Sequence, residues 1–324
     1  MKLIVLGSGT STGVPRLGND WGDCDRAEPK NRRTRVAIVV ESTAGQRLLV
    51  DTPTDLRAQL LANGIEKVDA VFWTHDHADH THGIDDLRPM RYGRGGPLPG
   101  YAADETVRRL KLRFDYVFAG QFGYPTIVHL ETLERLRICM GFSVSWCIMP
   151  HGPAKSTGYR FECDGKSVSY LTDFSEITRE MVDLVRGTDV LVVDCLRREP
   201  HPTHAHLGMA LELAEAGGAR CTVLTRQEHG LRDLVGRAAG ACAGRLRRIG
   251  SGPMNAATIV LLVSVAGPGG PRPACPRRQP ARQDRNGGGV AGDYRRRRFR
   301  LRPDRRMIDL RPLPGDRLTD SSII

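Results

Sequence analysis

Short apolar runs, each followed by a polar residue or a glycine, recur along the first 225 residues of the chain. Runs rich in Val, Ile and Leu and bounded by turn residues are typical of β-strands. Two further segments, 54–64 and 203–218, space their apolar residues as a helix does, and Gly64 is suited to end the first. The strands predicted by this pattern are 2–9, 35–42, 46–52, 70–75, 167–173, 190–196 and 221–225. Strands mixed with helices predict a layered α/β fold, in which sites gather where strands run into loops.

The character of the chain changes at residue 226. From there to the end it holds 21 Arg, no Lys and 8 acidic residues, whereas the first 225 residues hold 27 basic and 29 acidic ones. The net charge of +11 therefore comes from the tail. Its Arg, Pro and Gly content predicts disorder or a basic nucleic-acid arm. We predict that residues 1–225 form one domain, whose mildly acidic net charge is typical of an ordinary soluble enzyme. Residues 226–324 are predicted to form a largely disordered tail.

Cysteine usage and hydropathy exclude other classes of protein. The eight cysteines are scattered and form no C-x-x-C pair, which argues against a cysteine zinc site and against a secreted disulfide scaffold. The first apolar run is too short for a signal peptide. The longest one, 256–267, is well short of the roughly 20 residues that a membrane span needs. A cytoplasmic location without a membrane partner is expected.

The segment WTHDHADHTHG, residues 73–83, brings metal-ligand residue types together after an apolar strand. His75 and His77 alternate and are expected to face one ion, while Asp79 and His80 turn toward a second. Imidazole together with carboxylate suits Zn²⁺, Mn²⁺ or Fe²⁺. A solvated histidine-rich loop is the structural alternative, but such a set of ligand types rarely assembles by chance. The segment therefore predicts a metal centre.

This motif resembles that of the metallo-β-lactamase-fold hydrolases, and the similarity continues through the first 225 residues. Asp51 in LLVDT, His151 in MPHGP and Asp173 in YLTDFSE follow in the family's order. The resemblance implies a four-layer αββα sandwich. The stretches HADHTHGIDDLRP, VVDCLR and HPTHAHLGMALEL are similar to one branch, the phosphoribosyl cyclic phosphate phosphodiesterases. Of the N-terminal cysteine cluster that binds structural zinc in some members, only Cys24 is present, so that site is not expected here.

The resemblance implies a centre with two divalent ions, Zn or Mn, and a bridging hydroxide that opens a small ribose cyclic phosphate. His204 matches a family histidine near the scissile phosphate and is the candidate proton donor to the leaving oxygen, with a helix-start role as an equal alternative. Asp79 is assigned to catalysis as well as to the metal, whereas His82 and His206 are assigned no role. The implied ligands are His75, His77, His151 and Asp173 for the first ion, and Asp79, His80 and the shared Asp173 for the second.

The last histidine of the family's second metal site is missing. Relatives supply it on a strand that ends T-H, whereas this strand ends with Thr225 and Arg226. A guanidinium stays protonated and has no lone pair to donate to a metal. We therefore predict weak binding of the second ion and low activity. His229, three residues further on, is not expected to take its place.

A shifted reading frame would account for the arginine and the tail together. Residues 226–233, RQEHGLRD, can be encoded so that the frame one base later reads DKSMDYAT, which resembles the family's continuation after its histidine. Residues 245–249, RLRRI, can be encoded to contain GYDG, which resembles the family's terminal motif. The hypothesis is that translation is out of frame from about Arg226. Sequencing the DNA across codons 220 to 250 tests it, and an intact frame with no nearby insertion or deletion contradicts it.

Other functions stay open at this level. Lactone, thioester or RNA hydrolysis occurs on the same fold, and fold alone does not separate these reactions. A hydrolase made inactive, with its basic tail tethering nucleic acid, predicts salt-sensitive binding that is lost on deletion of 226–324. The leading prediction is a small phosphorylated substrate with no specific nucleic-acid partner. A homodimer is left open.

Overall fold

The protein places two β-sheets face to face, with helices on both outer faces. The computed structural model describes residues 1–121 and 123–228, together with the backbone of 260–262. Three apolar layers separate the elements: one under the helices of the first sheet, one between the sheets, and one under the helices of the second sheet. This is the αββα sandwich that the resemblance implied, so the predicted fold class is confirmed.

The first sheet has six strands in sequence order. Its first three strands are antiparallel and the remaining ones are parallel. Residues alternate between the two apolar layers: Leu49 and Val71 face the helices, while Val50 and Phe72 face the other sheet. The strands are β1 Lys2–Gly7, β2 Ala37–Glu41, β3 Arg47–Val50, β4 Ala70–Phe72, β5 Leu98–Ala102 and β6 Val128–Thr132.

The second sheet runs in the order β13-β12-β11-β10-β9-β8-β7. Pairing is antiparallel from β7 to β10 and parallel from β10 to β13. The long β8–β9 hairpin alternates polar and apolar residues and covers the first sheet with Phe142, Val144, Tyr159 and Phe161. The strands are β7 Ile138–Cys139, β8 Phe142–His151, β9 Ala154–Cys163, β10 Lys166–Leu171, β11 Val190–Asp194, β12 Thr222–Thr225 and β13 Val260–Leu262.

Helices cover the outer face of each sheet. α1, α3, α4 and α5 pack on the first sheet, and α6 and α7 pack on the second. Thr178 caps α6 by accepting a hydrogen bond from the amide of Met181. None of the helices among the described residues is long and apolar enough to cross a membrane. The helices are α1 Leu56–Ala62, α2 Ala78–Thr81, α3 Arg88–Arg94, α4 Asp104–Arg113, α5 Asp115–Ala119, α6 Arg179–Val185 and α7 Leu207–Gly217.

All seven predicted strands and both predicted helices are present, with their ends shifted by a few residues. The apolar pattern did not predict β5 to β9 because their apolar residues are interrupted by polar and turn residues. The predicted tail begins at Arg226, and both Arg226 and Gln227 are buried. The backbone of 260–262 adds a strand to the second sheet. The other tail residues lie outside the described residues, so the domain boundary stays a prediction.

Hydrogen bonds between the sheets position the loop after β4. The hydroxyl of Tyr159 donates to the carbonyl of Trp73 at 2.6 Å, and the amide of Thr157 donates to the carbonyl of Thr74 at 2.9 Å. On the other side, the amide of Thr52 donates to the carbonyl of His80 at 2.8 Å. The loop is therefore held at both ends, and the side chains that follow Thr74 have fixed origins.

Three buried charged residues at strand ends have left-handed backbone conformations. Asp51 (φ 66°) follows β3, Asp173 (φ 63°) lies just beyond β10, and Arg226 (φ 64°) follows β12. A positive φ costs about 1–3 kcal/mol for a residue other than glycine and persists only where the surroundings impose it. All three side chains belong to the group of ionisable residues described next.

Candidate metal centre

Three imidazoles converge at the edge where the two sheets meet. One ring nitrogen from each of His75, His77 and His151 lies within 4.8 Å of the other two. His75 Nε2 and His77 Nδ1 are 2.9 Å apart, and the ring centroid of His151 lies 5.3 Å from that of His75 and 5.1 Å from that of His77. The H-x-H spacing supplies the first two rings, and the end of β8 supplies the third. The structure therefore brings these three predicted ligands together.

Hydrogen bonds to the other ring nitrogens orient two of these imidazoles. His151 Nδ1 donates to the carbonyl of Thr203 at 2.6 Å, which leaves Nε2 with its lone pair. His75 Nδ1 lies 3.0 Å from the hydroxyl of Thr74. Burial lowers the pKa of His75 well below its usual value and also lowers the pKa of His77 and of His151. Neutral imidazoles with free lone pairs are what a divalent metal requires.

His80 lies behind this trio and is surrounded by carboxylates. Its Nδ1 lies 2.8 Å from Asp51 Oδ2, and its Nε2 lies 3.2 Å from Asp173 Oδ2 and 3.5 Å from Asp79 Oδ2. Burial alone would lower the pKa of His80, but Asp173, Asp51 and Asp79 together raise it to about 10. In this arrangement the imidazole is a cation. It therefore acts as an ion-pair partner of the carboxylates.

Arg226 makes two short ion pairs in the same place. Its Nη1 lies 2.5 Å from Asp79 Oδ2 and its Nη2 lies 2.6 Å from Asp173 Oδ1. The arginine is 3% exposed and Asp173 is fully buried. Burial opposes the charge on Asp173, but Arg226 and His80 outweigh it and hold the pKa of this carboxyl well below its usual range. The expected ligands Asp79 and Asp173 are thus joined to a protein cation.

His204 approaches the trio from the loop before α7. Its ring centroid lies 4.9 Å from that of His151, and its Nδ1 lies 3.0 Å from Asp194 Oδ2 and 3.5 Å from Asp173 Oδ1. The buried carboxylate of Asp194 also accepts a hydrogen bond from the amide of Ala205. The predicted proton donor therefore lies beside the trio, and a carboxylate orients its ring.

The residues fit one metal ion well. The trio offers three imidazoles, the number of protein ligands in a typical catalytic zinc site. The second position does not fit a metal, since Arg226 already pairs with both of its carboxylates. His82 packs on Phe114, and His206 caps α7 by accepting a hydrogen bond from the amide of Gly208 at 3.1 Å. His229 lies outside the described residues.

Sequence reasoning assigned no role to two buried carboxylates, Asp51 and Asp194. Asp51 also accepts hydrogen bonds from the amide and hydroxyl of Thr74, at 2.8 and 3.0 Å. The sequence feature that could have indicated these two carboxylates is an aspartate directly after an apolar run, as in LLVD and VLVVD. An aspartate in that position is common in turns, so the signal indicates a site only when the partner histidine is known.

Replacing His204 by alanine is expected to lower kcat by about 10²–10⁴-fold for a substrate with a poor leaving group, because a positioned proton donor contributes that much. Asp194→Asn is expected to cause about a 10–100-fold loss by misplacing the ring. With a p-nitrophenyl ester, whose leaving group needs no proton, both losses should shrink. Steady-state kinetics on both substrates measures this, and equal losses on both would contradict the role of His204. His129→Ala, an exposed histidine on β6, serves as the control.

Residues 46–225 match the family model described as the beta-lactamase superfamily domain. A solved structure of a diphosphatase from the PhnP family is similar to this chain at 35% sequence identity, over 82% of this chain and 94% of that one, with a TM-score of 0.66. Zn²⁺-bound PqqB from Methylobacterium extorquens, at 19% identity and a TM-score of 0.61, covers 82% of this chain and 98% of its own length, and it shares the fold.

A curated protein called octanoyltransferase, from Porphyromonas gingivalis strain ATCC BAA-308 / W83, is 33% identical over 235 residues. The match covers 71% of this chain but 46% of that protein. This chain therefore spans about half the length of that relative. More than half of that protein lies outside the match, so its name refers to a protein with additional sequence that this chain does not match.

Proposed function

We propose that this chain, which belongs to the beta-lactamase superfamily domain family, is a metal-dependent hydrolase that opens a phosphodiester bond in a small phosphorylated substrate. A ribose-derived cyclic phosphate is the substrate class we favour. Membership of the family and the two-sheet fold already make it a metallo-β-lactamase-fold hydrolase. The proposal adds the bond that is cleaved and the residues that act on it.

The similarity to the PhnP-family diphosphatase is the observation that carries this proposal. At 35% identity it extends over 94% of that chain, so both proteins share the whole domain in addition to the motif. The site supports phosphate chemistry as well. His204 lies next to the trio, as required of a group that protonates a leaving alkoxide.

Each residue of the site has its own role in the proposed reaction. His75, His77 and His151 would hold one divalent ion, which supplies Lewis acidity toward phosphoryl oxygens and lowers the pKa of water. His204 holds a proton near the leaving oxygen, and Asp194 fixes the orientation of its ring. Thr203 fixes His151 through its backbone carbonyl. His75 and His151 are themselves buried, so their rings have few alternative positions.

A substrate panel tests the proposal. Metal-loaded protein is assayed with a five-membered ribose cyclic phosphate, bis-p-nitrophenyl phosphate, a lactone, a thioester and precursor tRNA. Turnover of the cyclic phosphate above that of every non-phosphate substrate, and its loss on chelation, is the expected result. Appreciable turnover of the lactone or thioester alone would contradict the proposal. Turnover of the tRNA alone would show that the phosphodiester bond cleaved is in RNA and not in a small substrate.

Hydrolysis of a diphosphate linkage is the second candidate function. It is favoured by one observation, the description of the 35% identical structure as a diphosphatase. A substrate with two nucleosides joined by a diphosphate, added to the same panel, separates the two candidates. Faster turnover of that substrate than of the cyclic phosphate would select the second one.

A further inference from the structure

We propose that the guanidinium of Arg226 is a built-in replacement for the second metal ion, so that the centre binds one metal and carries a fixed protein cation beside it. This inference deepens the proposed function, on which it rests for the metal bound by the trio. It concerns how many ions the site holds and which group balances the charge of Asp79 and Asp173.

The contacts place the guanidinium where a second ion would find its ligands. Different nitrogens of Arg226 reach different carboxylates, Asp79 at 2.5 Å and Asp173 at 2.6 Å. Asp79 comes from the first sheet's side of the site, through α2, and Asp173 comes from the end of β10 in the second sheet. The contact with Asp79 is a charge-assisted hydrogen bond and the contact with Asp173 is an ion pair, a forked arrangement that a single lysine ammonium does not reproduce.

The backbone on both sides of Arg226 is fixed, so the contact is part of the fold. The carbonyl of Thr225 accepts a hydrogen bond from the amide of Cys195 at 3.0 Å. The amide of Gln227 donates to the carbonyl of Ser8 at 2.8 Å. The left-handed φ of 64° is held between these bonds and directs the side chain inward. A backbone movement that carried Arg226 out of the site would break these two hydrogen bonds.

Charge explains why a metal would not displace the arginine. The carboxylates of Asp79 and Asp173, which are 9% and 0% exposed, need a counter-charge, because an unpaired buried charge is strongly destabilising. Arg226 supplies it, and a guanidinium cannot lose its proton in a protein. A second divalent ion would have to enter against this fixed positive charge, with His80 and two already paired carboxylates as its ligands. With one ion at the trio, Asp79 and Asp173 both keep their ion pairs with Arg226.

Metal stoichiometry of the full-length chain tests the inference. Protein loaded separately with excess Zn²⁺ and Mn²⁺, then desalted, is measured by elemental mass spectrometry and native mass spectrometry. About one ion per chain is expected, where a two-metal centre gives about two. Two tightly held ions would overturn the inference and leave the proposed hydrolase intact. No tightly held ion would overturn both.

Two variants ask whether the charge of Arg226 sets this number. Arg226→Lys keeps the positive charge, and its stoichiometry should stay at about one ion. Arg226→His removes the fixed charge and adds an imidazole, so its content should rise toward about two ions. A histidine variant that stays at one ion would show that the arginine does not control the second position. If that variant fails to fold, Mn²⁺ spectra of the unmodified protein decide: spin coupling between two ions would overturn the inference, and an uncoupled single-ion spectrum supports it.

Discussion

Replacing His151 by alanine is expected to abolish both tight metal binding and hydrolysis. His151 is one of only three imidazoles in the trio, and its Nδ1 is already engaged with the carbonyl of Thr203, so that Nε2 is its metal-facing nitrogen. Loss of an outer-shell partner typically costs about 10–100-fold in affinity or activity, and loss of a ligand itself should cost more. Elemental analysis after desalting and kcat/KM on the preferred substrate measure the two effects.

His129→Ala is the matched control for this substitution. His129 is exposed on β6, where it pairs with Glu131, and removing it should change neither metal content nor kcat/KM. Circular dichroism of both variants shows whether the fold is retained. A folded His151→Ala protein that still holds one ion after desalting would place the metal elsewhere and remove the basis of the proposed site.

Asp51→Asn is expected to lower the free energy of unfolding of the metal-free protein by about 3 kcal/mol. Asp51 is fully buried and lies 2.8 Å from His80 Nδ1, so the substitution removes one of the three carboxylate charges around this buried imidazole. Breaking a buried ion pair costs about 3–5 kcal/mol. Asparagine has the same shape and tolerates the left-handed backbone at this position, so the loss reports the charge. Urea unfolding measures it.

Asp164→Asn is the matched control because it makes the same substitution at another left-handed aspartate. Asp164 has φ 55°, lies exposed in the turn between β9 and β10, and accepts hydrogen bonds from the amide and hydroxyl of Thr43. Its replacement should destabilise the protein much less than that of Asp51, because water solvates the exposed side chain. Equal losses for the two variants would mean that the charge of Asp51 does not stabilise the fold through His80.

The reading-frame hypothesis concerns the coding DNA, whereas the inference about Arg226 concerns the folded protein. The hypothesis asks whether the DNA encodes an arginine by displacement of the frame, and most of the residues it concerns lie outside the described ones. It therefore stays a prediction that DNA sequencing decides. The ion pairs of Arg226 belong to the chain as translated and follow from its structure in either case.

Much of the fold was predictable because its central strands contain short runs rich in β-branched and apolar residues, such as VLVVD in β11. β10, β11 and β12 are buried on both faces, and such runs stand out from their surroundings. The β8–β9 hairpin was not among the predicted strands, although β8 alternates buried and exposed positions as a half-buried strand does. The trio was predictable in part, since His75 and His77 are close in sequence. The position of His151 rested on family resemblance.

The amino-acid sequence alone shows which groups are available to this protein: imidazoles at 75, 77 and 151, carboxylates at 79 and 173, and an arginine where a ligand was expected. It indicates that Arg226 cannot bind a metal, but it does not indicate what the arginine contacts instead. The folded structure supplies that answer. Arg226 and Asp79 are 147 positions apart, and they meet because the two sheets pack face to face and bring the ends of β4 and β12 to one edge.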